Sequence, residues 1–208
     1  MMNVGPAFWA LGASGGGGGV DPLFSNVVLL LHAEGVDAST TFTNSAGVTQ
    51  TLGVGGTAEI DTAQAKFGGS SISCAGGVIR VAANATIDLT SADFCLEAHV
   101  RLASLTGAII FDNSESGGLY NAQVWFNATA GAFGARGFNA ASTLVYDMTS
   151  GAVSAGVWYH VALTRQGGTY RLFVDGALVA STVTSGAMYD TSASRLSIGA
   201  YSTGAASL

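Results

Sequence analysis

The sequence has few charged residues, and its basic residues are not clustered. Only 10% of the 208 residues are charged, and the seven Lys and Arg residues are scattered singly between Lys66 and Arg195. A protein that binds nucleic acid needs a concentrated basic surface to neutralise phosphates, so this distribution excludes a nucleic-acid partner. The formal net charge of −6 favours solubility and does not indicate a particular binding partner.

The sequence also lacks long apolar runs and has few cysteines. Its longest strong apolar run, Val27–Leu31, has five residues, whereas a membrane-spanning helix needs roughly 20. A membrane partner is therefore not expected. The two cysteines, Cys74 and Cys95, are too few for a disulfide-rich scaffold. We interpret them as buried free thiols, with a disulfide between them as an alternative that the sequence leaves open.

The most informative segment of the chain covers residues 156–180. Large apolar residues occupy every second position over 157–163, which is the period of a strand with two different faces. Asp175-Gly176 then lies between two apolar runs, and Asp-Gly favours a hairpin because a type I′ turn needs positive φ at both central residues. The sequence predicts three consecutive antiparallel strands over 157–165, 169–174 and 177–182. The predicted cross-strand pairs are Val174 with Ala177, Phe173 with Leu178, and Leu172 with Val179.

The rest of the chain repeats this pattern in shorter pieces. Strand candidates such as 27–32, 94–102 and 132–138 are separated by Gly, Asn, Asp and Ser. No segment keeps the 3.6-residue apolar period of a helix over three turns. Short strands with turn signals every 8–12 residues or so are typical of sandwiches and jelly rolls. We therefore predict an all-β protein, an antiparallel β-sandwich of the jelly-roll type, with at least ten strands within residues 26–200.

The first 25 residues differ from the remainder. They carry no charge before Asp21 and contain the five-glycine run Gly15–Gly19, which contributes no side chains to a core. We predict an irregular N-terminal arm over 1–25, followed by one domain over 26–208. The arm contains Phe8 and Trp9, and disordered tails rarely have such an apolar composition. These two rings are predicted to anchor the arm in an assembly, with packing onto the arm's own sandwich as the alternative.

Several segments match, in order, the pattern of a known family. They are Asn26–His32, Thr41–Ser45, Lys66–Ser71, Asp93–Val100, Trp158–Arg165, Leu172–Gly176 and Arg195–Ala200. On these segments the chain resembles the laminin G-like branch of the concanavalin A-like lectin and glucanase jelly rolls, particularly the versions in phage and bacterial surface proteins. The family normally ends with one more core strand, which does not occur before Leu208. We therefore expect either a longer natural chain or a strand supplied by another chain.

The resemblance also indicates a function. It points to a structural or display component of a phage particle, such as a tail fibre, a tail tip or a head decoration protein, with host-surface glycans as ligands. Its partners would then be other virion proteins or further copies of the chain, and its location the virion. A carbohydrate-binding adhesin domain on a bacterial cell surface is the alternative. Because one fold supports many functions, the decision rests on the site.

Ionisable residues concentrate on one predicted strand. Along Phe94–Arg101, the residues Glu97, His99 and Arg101 share a face with Cys95. The resemblance implies a ligand-contacting patch on the concave sheet, and the alternative is a half-buried hydrogen-bond network under a neighbouring strand. A second oxygen-rich segment contributes the further ligand-binding candidates Asp112, Asn113 and Glu115.

Sugar binding also needs exposed aromatic rings beside polar groups. The candidates are Tyr120, Trp125, Phe133, Phe138, Tyr146, Tyr189 and Tyr201. Because most aromatic residues in alternating strands belong to the core, we expect two or three of these rings at most to be exposed.

Neither catalysis nor a cofactor is expected. A glycosidase needs two carboxylates about 5–9.5 Å apart, and Glu97 has no second acid two residues before or after it. The resemblance also implies a calcium ion near the loop after the first strand. There Asn44 and Gly47 offer oxygen atoms but no carboxylate, although calcium favours several. Calcium at Asn44 and Gly47 remains the open alternative.

Overall fold

The computed structural model describes residues 2–5, 24–83, 85–87, 89–90, 92–114, 122–185, 188–189 and 195–201. These residues form fourteen strands and two short 3-10 turns, Phe24–Asn26 and Ala85–Ile87. The strands are β1 (Met2–Gly5), β2 (Leu52–Gly56), β3 (Glu59–Asp61), β4 (Ser71–Ser73), β5 (Gly77–Val81), β6 (Phe94–Leu102), β7 (Ala108–Asp112), β8 (Gln123–Asn127), β9 (Ala132–Phe138), β10 (Leu144–Ala152), β11 (Trp158–Gln166), β12 (Thr169–Val174), β13 (Ala177–Val183) and β14 (Leu196–Ile198). In this part of the chain no helix is long and apolar enough to span a membrane.

The strands form two seven-stranded antiparallel sheets. The first sheet has the order β13-β12-β11-β6-β1-β4-β3, and the second has the order β10-β9-β8-β7-β14-β5-β2. Alternate residues of both sheets enter one apolar core, in which Val100 and Leu163 of the first sheet meet Phe126 and Phe133 of the second. The prediction of an antiparallel β-sandwich with at least ten strands is confirmed.

The predicted three-strand meander is present as β11, β12 and β13. Asp175 and Gly176 have φ values of 49° and 78°, as the type I′ turn requires, and the pairs of Val174 with Ala177 and Phe173 with Leu178 are confirmed. The third predicted pair is wrong, because Leu172 lies opposite Ala180. A β-bulge adds one residue to β13 at this point, so Val179 leaves the regular register.

The strand predicted over 27–32 is wrong for most of its length. Only Leu31 forms a bridge, and its partner is Asn44. The side chain of Asn44 explains the difference, because its oxygen accepts a hydrogen bond from Leu30 N (2.8 Å) and its amide donates to Val28 O (3.2 Å). These backbone groups therefore have a side-chain partner instead of a neighbouring strand.

Met2–Gly5 lie within the segment predicted as an arm, and they form a strand of the first sheet. β1 pairs with residues 99–102 of β6 on one side and with residues 72–73 of β4 on the other. Residues 6–23, with the predicted anchors Phe8 and Trp9, lie outside the described residues. Glu115 lies outside them as well.

Both cysteines carry free thiols, as the sequence suggested. Cys74 is buried, and burial raises the pKa of its thiol to about 12. The expectation that Cys95 is buried is wrong, because Cys95 lies on the outer face of β6 and is exposed.

Candidate functional site

The outer face of the first sheet carries a histidine cluster, formed by Phe67, Glu97, His99 and His160. Leu96, Ala98 and Val100 of β6 enter the core, so Glu97 and His99 lie on the opposite face, as the alternation predicted. β11 places His160 beside His99, with 5.0 Å between the two ring centroids. His160 Nε2 lies 3.1 Å from Glu97 Oε2, and Phe67 meets the His99 ring edge to face at 4.9 Å.

The Glu97 and His160 side chains of the histidine cluster are largely buried. The side chains of Glu97 and His160 are only 12% and 26% exposed. On the same face, Arg101 Nε donates a hydrogen bond to Gly156 O at 3.1 Å, so this guanidinium supports the loop before β11. The arrangement is a network that links β6 to β11.

The outer face of the second sheet carries a polar row that crosses six neighbouring strands. Cross-strand register places Arg80, Ser197, Asp112, Gln123, Arg136 and Asp147 side by side on β5, β14, β7, β8, β9 and β10. These residues alternate with core residues, so they point away from the interior. The first four are nevertheless buried, and Ser197, Asp112 and Gln123 are completely so. A buried polar row on the outer face of a sheet is costly unless it is hydrogen-bonded.

Hydrogen bonds connect the centre of the polar row. Asp112 Oδ1 accepts from Gln123 Nε2 at 2.6 Å, and Asp112 Oδ2 accepts from Ser114 Oγ at 2.6 Å. Gln123 Oε1 in turn accepts from Arg136 Nε at 2.9 Å. The buried Asp112 carboxylate thereby orients Gln123, and Gln123 orients the guanidinium of Arg136.

The Arg80 end of the row differs from the centre. Burial, and then the charge of Arg195, lower the pKa of the Arg80 guanidinium. Between Arg80 and Asp112, the buried hydroxyl of Ser197 has no hydrogen-bond partner among the residues that the structure describes. A buried hydroxyl without a hydrogen-bond partner is uncommon in a protein interior.

Arg136 and Trp125 form an aromatic and cationic surface beside the polar row, here called the Arg136 platform. The guanidinium carbon lies 4.5 Å from the centroid of the Trp125 ring, which is the geometry of a cation–π contact. The Trp125 ring packs directly against Gly134. A Cβ at position 134 would lie only 2.7 Å from Trp125 Cζ2, so the ring can occupy this position only because residue 134 is a glycine. Both side chains are half-buried, so the platform reaches the surface at the end of the buried row.

The structure separates the residues that the sequence grouped as ligand-binding candidates. Glu97, His99 and Arg101 lie on the outer face of the first sheet, whereas Asp112 and Asn113 belong to the second. Asn113 is buried, and its side-chain oxygen accepts a hydrogen bond from Ala122 N at 3.2 Å. Sequence reasoning missed Gln123, Arg136 and Ser197. Their only signal was alternation within each strand, which does not reveal which strands become neighbours.

The candidate aromatic rings divide between core and surface. Phe133 and Tyr146 are buried, Trp125, Phe138 and Tyr189 are half-buried, and Tyr201 is exposed. Tyr120 lies outside the described residues. Trp125 contacts Arg136, a member of the polar row.

The residues proposed as calcium ligands do not fit that ion. Asn44 and Gly47 line a shallow depression between Phe42 and Leu52. The Asn44 oxygen already accepts hydrogen bonds from Leu30 N and Ala46 N, and its amide donates to Val28 O and Val48 O. Its side chain therefore holds the loop together. Among the described residues, no group of three or more His, Cys, Asp or Glu is placed to hold a metal ion.

Comparison with known proteins identifies the family. Residues 75–208, more than half of the chain, match the family described as the concanavalin A-like lectin/glucanases superfamily. The chain therefore belongs to this superfamily, and the resemblance seen in the sequence is confirmed. No curated protein matches the chain.

Solved structures show the same fold at low sequence identity. The receptor-binding domain of botulinum neurotoxin mosaic serotype C/D is 12% identical with a TM-score of 0.59, and the match covers 84% of this chain and 43% of that one. The serotype D binding domain is 14% identical with a TM-score of 0.58, covering 78% and 42%. Domain 4 of the arabinanase AbnA from Geobacillus stearothermophilus, solved with arabinotriose, is 12% identical with a TM-score of 0.53, covering 74% and 76%. The chain thus spans less than half the length of the toxin domains.

Proposed function

We propose that the protein is a non-enzymatic glycan-binding module whose binding surface is the Arg136 platform, which the adjoining buried polar row holds in position. One observation carries this proposal. The hydrogen-bonded series from buried Asp112 through Gln123 to Arg136 ends at a guanidinium held against the half-exposed ring of Trp125. The polar groups are therefore fixed in position before any ligand arrives.

The chemistry of this surface suits a sugar. A pyranose or furanose ring presents C–H groups that pack on an aromatic ring, and hydroxyls that exchange hydrogen bonds with planar polar side chains. Trp125 supplies the ring, and Arg136 supplies donors next to it. Gln123 holds the Arg136 side chain through a hydrogen bond, and the Trp125 ring packs against Gly134. Since both side chains are already fixed, little side-chain entropy is lost on binding.

The fold comparisons support a glycan as the ligand class. The arabinanase domain 4 shares the fold and was solved with arabinotriose bound, and the toxin domains are receptor-binding domains. The residues of this chain must decide its own ligand, because a common fold does not transfer a function.

The carboxylates of the polar row support a role without hydrolysis. Asp112 uses both oxygens in hydrogen bonds to Gln123 and Ser114. The other acid in the row, Asp147, lies three strand spacings away, about 14 Å across the sheet. Glycosidases hold their two carboxylates about 5–9.5 Å apart, so this pair does not suit the reaction.

A glycan array followed by titration calorimetry tests the proposal. The wild type should bind at least one oligosaccharide of the array, and arabinotriose is the first probe for titration. Trp125→Ala and Arg136→Ala should each weaken binding by about tenfold or more, since each removes half of the platform. Arg101→Ala is the matched control, because it removes an arginine from the other sheet and should leave binding unchanged. Equal losses in all three variants, or no binding by the wild type, would contradict the proposal.

The setting that we propose is a phage particle, in a tail fibre, a tail tip or a head decoration protein. It rests on the sequence resemblance and on the apolar Phe8 and Trp9, and a bacterial surface adhesin is the second candidate. Co-expression with the other particle proteins tests it. The wild type should sediment with assembled particles, whereas Phe8→Ser combined with Trp9→Ser should not, because burying the two rings contributes roughly 3–6 kcal/mol. Equal incorporation of both forms would contradict the proposal that Phe8 and Trp9 anchor the chain in the particle.

A further inference from the structure

Asp147 is the exposed end of the polar row. It lies on β10, which is an edge strand of the second sheet. Its neighbours Tyr146 and Met148 are buried, and the Tyr146 ring stacks on Tyr170 of β12 with 4.3 Å between the ring centroids. The inner face of β10 therefore lies against β12 and β13 of the first sheet, whereas Asp147 points outward. An exposed carboxylate thus adjoins the Arg136 platform.

Arg136 lies directly opposite Asp147 on β9, but the two side chains do not form an ion pair with each other. Facing residues of two antiparallel strands have Cβ atoms about 4.5–5.5 Å apart, a distance at which opposite charges commonly pair. Here Arg136 Nε donates to Gln123 instead, and the guanidinium carbon lies over the Trp125 ring. Within the part of the chain that the structure describes, the Asp147 carboxylate accepts no hydrogen bond. Its oxygens are therefore accessible to a ligand on the platform.

A cation and an anion that lie side by side without pairing suit a ligand with hydroxyl groups. A guanidinium only donates hydrogen bonds and a carboxylate only accepts them, whereas a hydroxyl does both. A neutral sugar can therefore bond to Arg136 and to Asp147 together, and hydrogen bonds to charged groups are the stronger ones. An acidic sugar would be attracted by Arg136 but repelled by Asp147. The net charge of −6 on the chain adds to this repulsion.

We propose that Asp147 is a specificity-determining residue of the glycan site, whose carboxylate accepts hydrogen bonds from ligand hydroxyls and selects neutral sugars over acidic ones. This assignment rests on the proposed function of the Arg136 platform. Strand register gives the arrangement, because Trp125 of β8 lies opposite Gly134 of β9, and the next outward pair along β9 and β10 is Arg136 with Asp147. A sugar ring packed on Trp125 can then present its hydroxyls to both charged groups.

A glycan array that holds neutral oligosaccharides beside acidic counterparts tests the selectivity, and trigalacturonic acid with its neutral methyl ester is one such pair. The wild type should prefer the neutral members. Asp147→Asn should weaken neutral binding by about five- to tenfold, since a charged acceptor becomes a neutral one, and should strengthen acidic binding because the repulsion is gone. Glu34→Gln is the matched control. It removes one exposed negative charge from the loop that lies against β3 of the first sheet, and both affinities should stay as in the wild type.

The outcomes separate the role of Asp147 from the function of the platform. A wild type that binds acidic glycans as tightly as neutral ones, or an Asp147→Asn variant with unchanged preference, overturns the assignment. If Trp125→Ala abolishes glycan binding while Asp147→Asn changes nothing, the platform binds the glycan and only the role of Asp147 is wrong. If the wild type binds no glycan, the proposed function and the role of Asp147 are both wrong.

Discussion

The outer faces of the two sheets carry polar side chains that are organised differently. On the first sheet, Glu97, His99 and His160 are half-buried and contact one another across two strands. On the second sheet, six polar residues cross six strands, and Asp112 and Gln123 at the centre are completely buried. The first arrangement joins neighbouring strands. The second fixes an arginine against an aromatic ring at the surface.

The difference shows what a polar group on a sheet can be used for. His160 and Glu97 both keep some contact with water, so their pairing contributes less to stability than a completely buried network does. A buried carboxylate such as Asp112 must be compensated by hydrogen bonds, so each of its neighbours is held in one orientation. Orientation is what a binding surface needs, and for this reason we place the glycan site on the second sheet.

The largest expected effect distinguishes the two faces by stability. Asp112→Ala leaves Gln123 and Ser114 with buried donors that lack an acceptor, and we expect a loss of about 3–5 kcal/mol in the free energy of unfolding. Glu97→Ala removes the hydrogen-bond partner of His160, whose side chain is 26% exposed and can bond to water instead, and should cost about 1 kcal/mol. Urea unfolding of both variants measures the two values. Similar losses for the two variants would mean that the faces are not organised differently.

The next effect concerns the platform alone. Gly134→Ala places a Cβ about where the Trp125 ring lies, so the ring must move from its position next to Arg136. We expect a stability loss of about 1–3 kcal/mol and a fall in glycan affinity, although no polar group is removed. Gly151→Ala on β10 is the matched control, because a Cβ there meets no atom within 4 Å. If calorimetry shows the same glycan affinity for Gly134→Ala as for the wild type, Trp125 is not part of the binding surface.

The smallest effect concerns the first face. Partial burial and then the charge of Glu97 raise the pKa of the Cys95 thiol. Glu97→Gln should therefore increase the thiolate fraction and speed alkylation of Cys95 by about two- to threefold at pH 8. Cys74 is the internal control, because its thiol is buried and reacts only when the domain opens. An unchanged alkylation rate of Cys95, measured by mass spectrometry, would show that the charge of Glu97 does not affect the Cys95 thiol.

The fold was predictable where local chemistry determines it. Asp175-Gly176 specified a two-residue turn, and this turn fixed the first two pairs of the β12–β13 hairpin. The third pair failed because a bulge at Val179 depends on the twist of the whole sheet, which no local pattern records. Similarly, Val27–Leu31 has the composition of a strand, but the side chain of Asn44 supplies its backbone with partners.

The candidate site was predictable only in fragments. Asp112 was identified as an oxygen-rich position, and Trp125 as one of several aromatic candidates. Nothing in the sequence connected them to Arg136 or to Ser197, which lies 85 positions after Asp112. Strand order and register bring these residues into one row, and both are properties of the assembled sheet. The concentration of charges along Phe94–Arg101 was the stronger sequence signal, and it belongs to the other face.

The central claim, that the second sheet binds the glycan, can be read from two tryptophans. Trp125 lies in the platform, whereas Trp158 lies opposite Arg101 on the first sheet. The measurement is a nuclear magnetic resonance titration of the indole N–H signals with the best oligosaccharide from the array, with Trp125→Phe and Trp158→Phe used to assign the two signals among the three tryptophans of the chain. The account predicts that the Trp125 signal shifts with saturation while the Trp158 signal stays in place. A shift of Trp158 with Trp125 unmoved would contradict it.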